Sequence, residues 1–426
     1  MVVLGLLPSG SGFAADQAER AAIRRAYEGL NAAHKAQDWP TMLARSRELV
    51  ALAPRSTRAL STLARAQSRN GQAAEAVASL MRLADLGIRF DLARDEDLKP
   101  LAGRPDFLAV TDRMQALLAP IGTSAAAFSL PEKDLLTEAV VHDPKTGAFF
   151  VSSVHRRKVV KVDAAGAAAD FVREGQNGLF AAMGLAVDPA RRSLYVSSEA
   201  VPLMTGFRKE DEGRSAVFEF DLDTARLRRR VEPPGEGARA SDLTVGPDGT
   251  LFAADPRAGA VYRLPPQAAA LEVLVGPGPL GSAQGLALSV DGAFLFVADY
   301  TQGIARVEVS SGRVTFLETP PDLAVTGIDG LVLAGDSLVG IQNGLEPHRV
   351  LRLRLDAAQG RIVEGSILER ANPHFDEPTL GVRVGQDFYY VANSQYEAFG
   401  EDGKVDEARL KAPVVLRMAL PWMAKP

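Results

Sequence analysis

The sequence contains no cysteine, which excludes disulfides, thiolate metal sites, iron–sulfur clusters and cysteine nucleophiles. Aromatic residues make up only 6% of the chain, and 48 basic against 53 acidic residues leave a formal net charge of −5. This charge balance does not favour DNA, RNA or an anionic membrane, so nucleic acid is not expected as a partner. No apolar run reaches the length of a transmembrane helix, so no membrane span is expected.

The first fifteen residues are typical of the end of an export signal. Residues 2–7 are mostly apolar, and the small residues Gly12 and Ala14 precede Asp16 in the manner of a cleavage site. A basic segment, which normally precedes the apolar run of an export signal, is missing, so we expect the true start codon to lie upstream of Met1. We therefore expect residues 1–15 to be a signal remnant and the protein to be periplasmic or secreted.

Residues 16–118 have the pattern of a helical domain. Apolar residues recur there at spacings of three and four, and two segments of equal length, 21–54 and 55–88, each contain a turn at the same offset. The pair resembles tetratricopeptide repeats through Pro54, Gly71 and Ala76, and residues 95–101 and 104–108 predict a capping helix pair. The module is either a docking surface for a protein partner or a packing cap for the second domain.

Beyond a linker at residues 119–125 the hydrophobic period becomes two, as expected for strands. Six similar strand openings recur there at intervals of roughly 40 to 55 residues, the length of a four-stranded blade. They predict a six-bladed β-propeller over residues 126–421 with a tail at 422–426, so the fold class is an N-terminal α-helical repeat module followed by a propeller. The last unit has only three evident strands, so we expect residues 126–130 to supply its fourth strand and close the ring.

The innermost strand of every blade lines the central channel, so equivalent residues in the six openings form a ring near one mouth. Counted back from the turns, the ring residues are Glu138, Met183, Ser241, Gln284, Asp329 and Thr379. Carboxylate, amide and hydroxyl oxygens are the hard donors that Ca²⁺, Mg²⁺ or Mn²⁺ prefer. Without a cation, two converging carboxylates would repel and the pKa of one would rise.

Several of these residues resemble the motifs of the regucalcin/gluconolactonase family of six-bladed propellers. The features that carry the resemblance are Glu138, the segment from Arg239 to Ser241, Gln284-Gly, Asp329-Gly and Asn343-Gly. The resemblance covers roughly residues 126–421. It implies one divalent cation, foremost Ca²⁺ with Zn²⁺, Mn²⁺ and Mg²⁺ as alternatives, held by Glu138, Gln284, Asp329 and Ser241.

Two of those ligands depart from the family, which has Asn at the positions of Gln284 and Ser241. Gln is one methylene longer than Asn, and Ser offers a weaker oxygen donor.

The resemblance further implies opening of a lactone, with Asp329 as the general base. Arg239 matches the arginine with which the family grips its substrate, and it lies two residues before Ser241 on the same strand face. A salt bridge to a channel carboxylate is the alternative role for Arg239. The other residues assigned to the substrate pocket are Met183, Asn343, His348 and Thr379.

Two long insertions, at residues 199–215 and 395–413, are expected on one rim beside the pocket, where loops commonly carry recognition. Their charges favour a small polar substrate. The sequence therefore predicts a divalent-metal-dependent hydrolase of a sugar lactone or related ester. The alternative is a non-catalytic propeller that binds a ligand or protein, with a structural cation and the helical module as a docking surface.

Overall fold

The computed structural model describes residues 11–400 and 403–423. The predicted export signal falls largely on residues 1–10, outside the described residues, and stays a prediction. The described chain divides into two compact units, one of the residues up to Ala116 with Pro277–Pro279 and one of the remaining residues from Leu117 onward.

None of the helices described combines the length and apolar character that crossing a bilayer requires.

The first unit is helical, and the structure describes five α-helices in it. They are α1 (Ser11–Lys35), α2 (Trp39–Leu52), α3 (Thr57–Arg69), α4 (Ala73–Asp85) and α5 (Pro105–Ala116). The turns between α1 and α2 and between α3 and α4 use left-handed backbone at Gln37 (φ 56°) and Gly71 (φ 71°). These residues are 34 positions apart, which agrees with two helical hairpins of one repeat length. The side chains of Asp38 and Ser56 cap α2 and α3 by accepting hydrogen bonds from backbone N–H groups.

The predicted capping helix pair forms only in part. Its second member is α5, but its first member is a 3₁₀ helix, Glu96–Leu101, with Pro100 inside it. Proline has no N–H to donate, so a short segment that contains it gains little from the α-helical pattern. The buried Asp97 ties this segment to the helices by accepting hydrogen bonds from Arg69 Nε (2.7 Å) and His34 Nε2 (2.9 Å).

The second unit is a six-bladed β-propeller of six four-stranded antiparallel sheets. The strands are β1 (Ala125–Ser129), β2 (Thr137–His142), β3 (Phe149–Ser153), β4 (Lys158–Val162), β5 (Ala168–Val172), β6 (Ala181–Asp188), β7 (Ser193–Glu199), β8 (Ser215–Asp221), β9 (Leu227–Val231), β10 (Leu243–Val245), β11 (Leu251–Asp255), β12 (Ala260–Leu264), β13 (Glu272–Val275), β14 (Ala283–Leu288), β15 (Phe294–Asp299), β16 (Gly303–Glu308), β17 (Val314–Phe316), β18 (Ile328–Ala334), β19 (Ser337–Gln342), β20 (Arg349–Leu355), β21 (Ile362–Arg370), β22 (Gly381–Val384), β23 (Asp387–Val391) and β24 (Val414–Ala419). Blades one to five each use four consecutive strands from β2 to β21.

Blade six is completed by the first strand of the propeller, as the sequence predicts. Its sheet order is β22, β23, β24 and then β1, and Ser129 of β1 lies opposite Val414 of β24. Phe128 of β1 also packs against Phe149 of the first blade, with ring centroids 5.4 Å apart. One strand from before blade one therefore closes the ring.

The innermost strands share an irregularity where the predicted ring residues lie. In blades one, two, four and five the pairing with the second strand is interrupted at the ring residue and the residue after it. Such bulges turn a side chain out of the normal alternation. In blade one the freed N–H of Ala139 donates to the Ser152 hydroxyl (2.9 Å), and in blade two that of Gly184 donates to Ser197 (2.8 Å).

In blades two and four, the close approach of the next inner strand requires glycine after the ring residue. A Cβ at Gly184 would lie 2.3 Å from the Ser241 carbonyl oxygen of the next blade, and one at Gly285 would lie 2.3 Å from the Asp329 carbonyl oxygen. Both distances are far inside van der Waals contact, so a side chain there would push the blades apart.

Candidate active site

Three carboxylates from three blades form the carboxylate cluster, which we define as Glu138, Asp242 and Asp329. All three are buried, with 9%, 4% and 8% of their surfaces exposed. Burial raises the pKa of each, and the charge of Asp329 raises the pKa of Glu138 and Asp242 further. The pKa of Asp329 rises to about 6. The structure thus brings the predicted Glu138 and Asp329 together and adds Asp242.

A fourth carboxylate, Glu377, stands beside this cluster. Burial raises its pKa, while the nearby His348 lowers it. The charge of Glu377 in turn raises the pKa of Glu138 and Asp329. His348 Nε2 lies 3.2 Å from Glu346 Oε1. The predicted pocket residue His348 therefore lies at the edge of an acidic site.

Neutral side chains hydrogen-bond two of the carboxylates. The Tyr396 hydroxyl donates to Glu138 Oε2 (2.8 Å), and Asn343 Nδ2 donates to Asp329 Oδ2 (2.7 Å). The hydroxyl of Tyr300 donates to Asn343 Oδ1 (3.1 Å) and fixes the orientation of that amide. Asn343 thus reaches the site predicted for it, and its contact is with the candidate base.

The carboxylate cluster has no basic ion-pair partner in the part of the chain that the structure describes. Within residues 22–400 and 403–423, no lysine or arginine forms an ion pair with any of its three carboxylates. Asp242 Oδ2 is buried without a hydrogen-bond partner, which is costly for a carboxylate oxygen. Oxygen-only donors and an unpartnered carboxylate oxygen fit a hard divalent cation.

The carboxylates do not converge into finished coordination geometry. Among the described residues, no three acidic or histidine side chains are close enough together to hold one metal ion. A bound cation would therefore require the three carboxylates to move closer, which their mutual repulsion opposes until the charge is neutralised.

The other ring residues are used mainly in holding the blades together. The Thr379 hydroxyl donates to the Glu138 backbone carbonyl (2.7 Å), and the Ser241 carbonyl accepts a hydrogen bond from the Ser197 hydroxyl. Gln284 Nε2 makes a long hydrogen bond to Ser282 Oγ (3.4 Å). Thr379 and Ser241 therefore fix the backbone of the site in this state.

Arg239 lies against Glu199, with which it forms a short, largely buried ion pair. Burial raises the pKa of Glu199 to about 7, even though the charge of Arg239 lowers it. The backbone N–H of Arg239 donates to the buried Asp255 (2.8 Å). The ion pair between Arg239 and Glu199 corresponds to the salt-bridge alternative for Arg239.

The two long insertions pack on each other. Met204 of the blade-two insertion and Phe399 of the blade-six insertion share an apolar group with Met183 of the ring. Tyr396, which bonds Glu138, comes from the blade-six insertion. The insertions thus cover the end of the channel at the cluster, and they place apolar side chains and a tyrosine there.

The central channel contains a cavity of about 730 Å³. Inner strands of all six blades line it, from Asp242 at one end to the strand-ending turns at the other. This volume lies in the range of small-molecule sites. Asp242 is therefore the member of the cluster that faces the cavity.

Similarity to known proteins is confined to backbone structure. No protein-family model matches the chain, and no curated protein matches it.

Solved propellers of several kinds are similar at low identity. A gluconolactonase from Xanthomonas campestris is 16% identical over 71% of this chain and 92% of that one, with a TM-score of 0.48. Regucalcin, a calcium-binding protein from Agrobacterium tumefaciens, is 14% identical over 70% and 95%, with a TM-score of 0.49. Virginiamycin B lyase from Staphylococcus aureus is 13% identical over 63% and 81%, with a TM-score of 0.45.

Four site residues were not found from the sequence: Asp242, Tyr300, Glu377 and Tyr396. The signal for Asp242 was present, because the other five openings have Ala, Gly or Leu at its position and an Asp there is the exception. The other three lie outside the innermost strands. Strand periodicity carries no information about residues on such segments.

Proposed function

We propose that the propeller is a divalent-cation-dependent hydrolase of lactones or related esters, and that the carboxylate cluster is its active site. The observation that carries this proposal is the burial of three electrostatically interacting carboxylates that pair with no lysine or arginine among the described residues, one of them with an unpartnered oxygen. Structural carboxylates in a core are normally paired. Perturbed acids at the end of a cavity are typical of functional sites.

The residues that would hold the cation are Glu138, Asp242 and Asp329, with the side-chain oxygens of Ser241 and Gln284 next to them in the ring. A divalent cation bound there supplies a Lewis acid that polarises the ester carbonyl. Ca²⁺ is the first candidate, since it accepts flexible sets of oxygen ligands.

Asp329 is the proposed general base. In the cation-free protein burial raises the pKa of Asp329 to about 6, and a bound cation would lower the pKa again, so this carboxylate is ionised near neutral pH and able to accept a proton. Asn343 Nδ2 donates to Asp329 Oδ2 and so fixes the orientation of the carboxylate that takes a proton from water. The water oxygen bonds to the acyl carbon, the acyl–oxygen bond breaks, and the proton passes to the leaving oxygen, giving a hydroxy acid or an acid and an alcohol.

The test is hydrolysis of a panel of lactones by protein stripped with a chelator, with Ca²⁺, Mn²⁺, Mg²⁺ or Zn²⁺ added back. Asp329→Asn should reduce the restored kcat by about 10²-fold or more, the usual contribution of a general base. Asp163→Asn is the matched control, because Asp163 accepts backbone N–H bonds in an exposed turn far from the ring strands in sequence. Its turnover should equal that of the parent.

A different result would favour the non-catalytic alternative. The hydrogen bonds that Tyr396 and Asn343 already make to the cluster are compatible with a cation that only ties the blades together. If added cation raises the melting temperature while no lactone is hydrolysed, the cation is structural and the hydrolase proposal is wrong.

A further inference from the structure

The cavity has an acidic end, a middle lined mostly by aliphatic side chains, and a turn end that also carries His142, Ser289 and Arg383. Asp242 lies at the acidic end, and Val245, three residues later on the same strand, lies near the turns. At the rise of about 3.3 Å per residue in a strand, the two levels are about 10 Å apart. Two residues of each inner strand lie between these levels; the first is most often Leu, and the second forms what we call the middle layer. The middle layer consists of Val141, Ala186, Thr244, Ala287, Val332 and Val382.

The middle layer is made of small side chains. Five of its six members are Val or Ala, and the sixth is Thr244, whose side chain lies two positions after Asp242. The next level toward the turns carries Val187, Val245, Leu288 and Leu333, together with the polar side chains of His142 and Arg383. A slim aliphatic group would replace water along such walls favourably.

The cavity is approached from the turns. The opposite end is covered by the packed insertions, whose Tyr396 is bonded to Glu138. At the turn end, Val290 lines the cavity and is 83% exposed, the highest value among the exposed large hydrophobic residues described. An apolar side chain in that position offers a first contact to an apolar ligand.

We infer that the substrate is a lactone or ester with an aliphatic chain of medium length, which enters from the turn end with its chain in the middle layer and its carbonyl at Asp242. This inference rests on the proposed function and narrows its substrate class. The charges of the insertions had suggested a polar sugar lactone. We prefer an aliphatic substrate, because the insertions pack apolar residues at the cluster end of the channel.

The first experiment measures kcat/KM for lactones that differ only in alkyl chain length. We expect a rise of roughly twofold to fourfold for each added methylene until the chain fills the cavity, as burial of one methylene implies. Thr244→Phe, which adds a ring to the middle layer, should abolish this dependence. Thr315→Phe is the matched control, since Thr315 is exposed on the outer strand β17, and it should leave the dependence unchanged.

The second experiment measures binding of the uncharged probe 1-octanol by calorimetry, without any hydrolysis. Binding to the parent and to Thr315→Phe, with at least tenfold weaker binding to Thr244→Phe, supports the chain site. If Thr244→Phe does not fold, Leu288→Asp, which places a charge at the next level of the cavity, takes its place with the same expected loss.

The two proposals fail separately. If 1-octanol binds to a protein that hydrolyses no lactone, the chain site stands and the hydrolase proposal is refuted. If hydrolysis is independent of chain length, and 1-octanol binding is absent or equal in all variants, the chain site is refuted and the hydrolase proposal stands.

Discussion

Replacing Asp329 by Asn should stabilise the cation-free protein at alkaline pH. Asn has nearly the same shape, and its side-chain oxygen can still accept the hydrogen bond from Asn343 Nδ2, which is 2.7 Å from the carboxylate in the parent. The substitution removes a buried negative charge whose pKa is raised by burial and by the charge of Glu377. Because the group is also the proposed base, a loss of activity should accompany a gain in stability.

The magnitude follows from the pKa of Asp329, which burial raises from 3.8 to about 6. At about 1.4 kcal/mol per pKa unit, the charged carboxylate costs the folded state about 3 kcal/mol. A pKa that is higher in the folded than in the unfolded state means that this cost is absent below pH 3.8, grows as the pH rises, and is complete above about pH 6. The variant should therefore gain about 3 kcal/mol at pH 8 and nothing at pH 3.5.

The assay is urea unfolding and thermal melting in the presence of a chelator at several pH values. For a domain of this size, about 3 kcal/mol corresponds to a rise in melting temperature of roughly 6 °C. Added Ca²⁺ should reverse the order, because the parent carboxylate then has a counter-ion. A variant that is no more stable than the parent at pH 8, or that gains equally at low pH, would refute the buried-charge argument.

Three further predictions concern the surroundings of the site. Burial raises the pKa of Glu199 to about 7, so the parent protein should lose about 3 kcal/mol of stability between pH 4.5 and pH 7, as the buried carboxyl becomes charged. Glu199→Gln should remove this fall. An unchanged pH dependence of urea unfolding would contradict the prediction. Thr379→Val should lower the free energy of unfolding by about 1–2 kcal/mol, since the Glu138 carbonyl loses a buried donor, and chemical denaturation measures it. Phe128→Ala should destabilise the propeller by about 2 kcal/mol and speed its proteolysis, because the half-buried ring secures the closing strand; an unaltered cleavage rate would show that β1 is held by other contacts.

The propeller could be predicted from the sequence because its signals are local and repeated. Strand periodicity and turns recur in every blade, and the three evident strands of the last unit indicated that residues 126–130 would complete it. The pairing of Ser129 with Val414 agrees with that prediction. The capping pair of the helical unit was harder, since Pro100 turns a short segment with helical spacing into a 3₁₀ helix.

The sequence predicted only those site residues that occupy equivalent positions in the repeated strand openings. Glu138 and Asp329 were found by counting back from equivalent turns. Asp242 is one position further along, and its importance depends on how closely neighbouring inner strands approach, which a count along the chain does not show. Tyr396 reaches Glu138 from 258 residues away through an insertion, and no sequence spacing expresses that contact.

The closure of blade six has a consequence for biosynthesis. β1 can pair with β24 only after almost the whole propeller sequence has been translated, because Ser129 pairs with Val414, which lies 285 residues later. Until then the ribosome carries an open arc whose first strand is unpaired and whose last blade is incomplete. Closure of the ring is thus expected only once β24 has left the ribosome, and a protein truncated before β24 should be captured by chaperones as an unclosed ring.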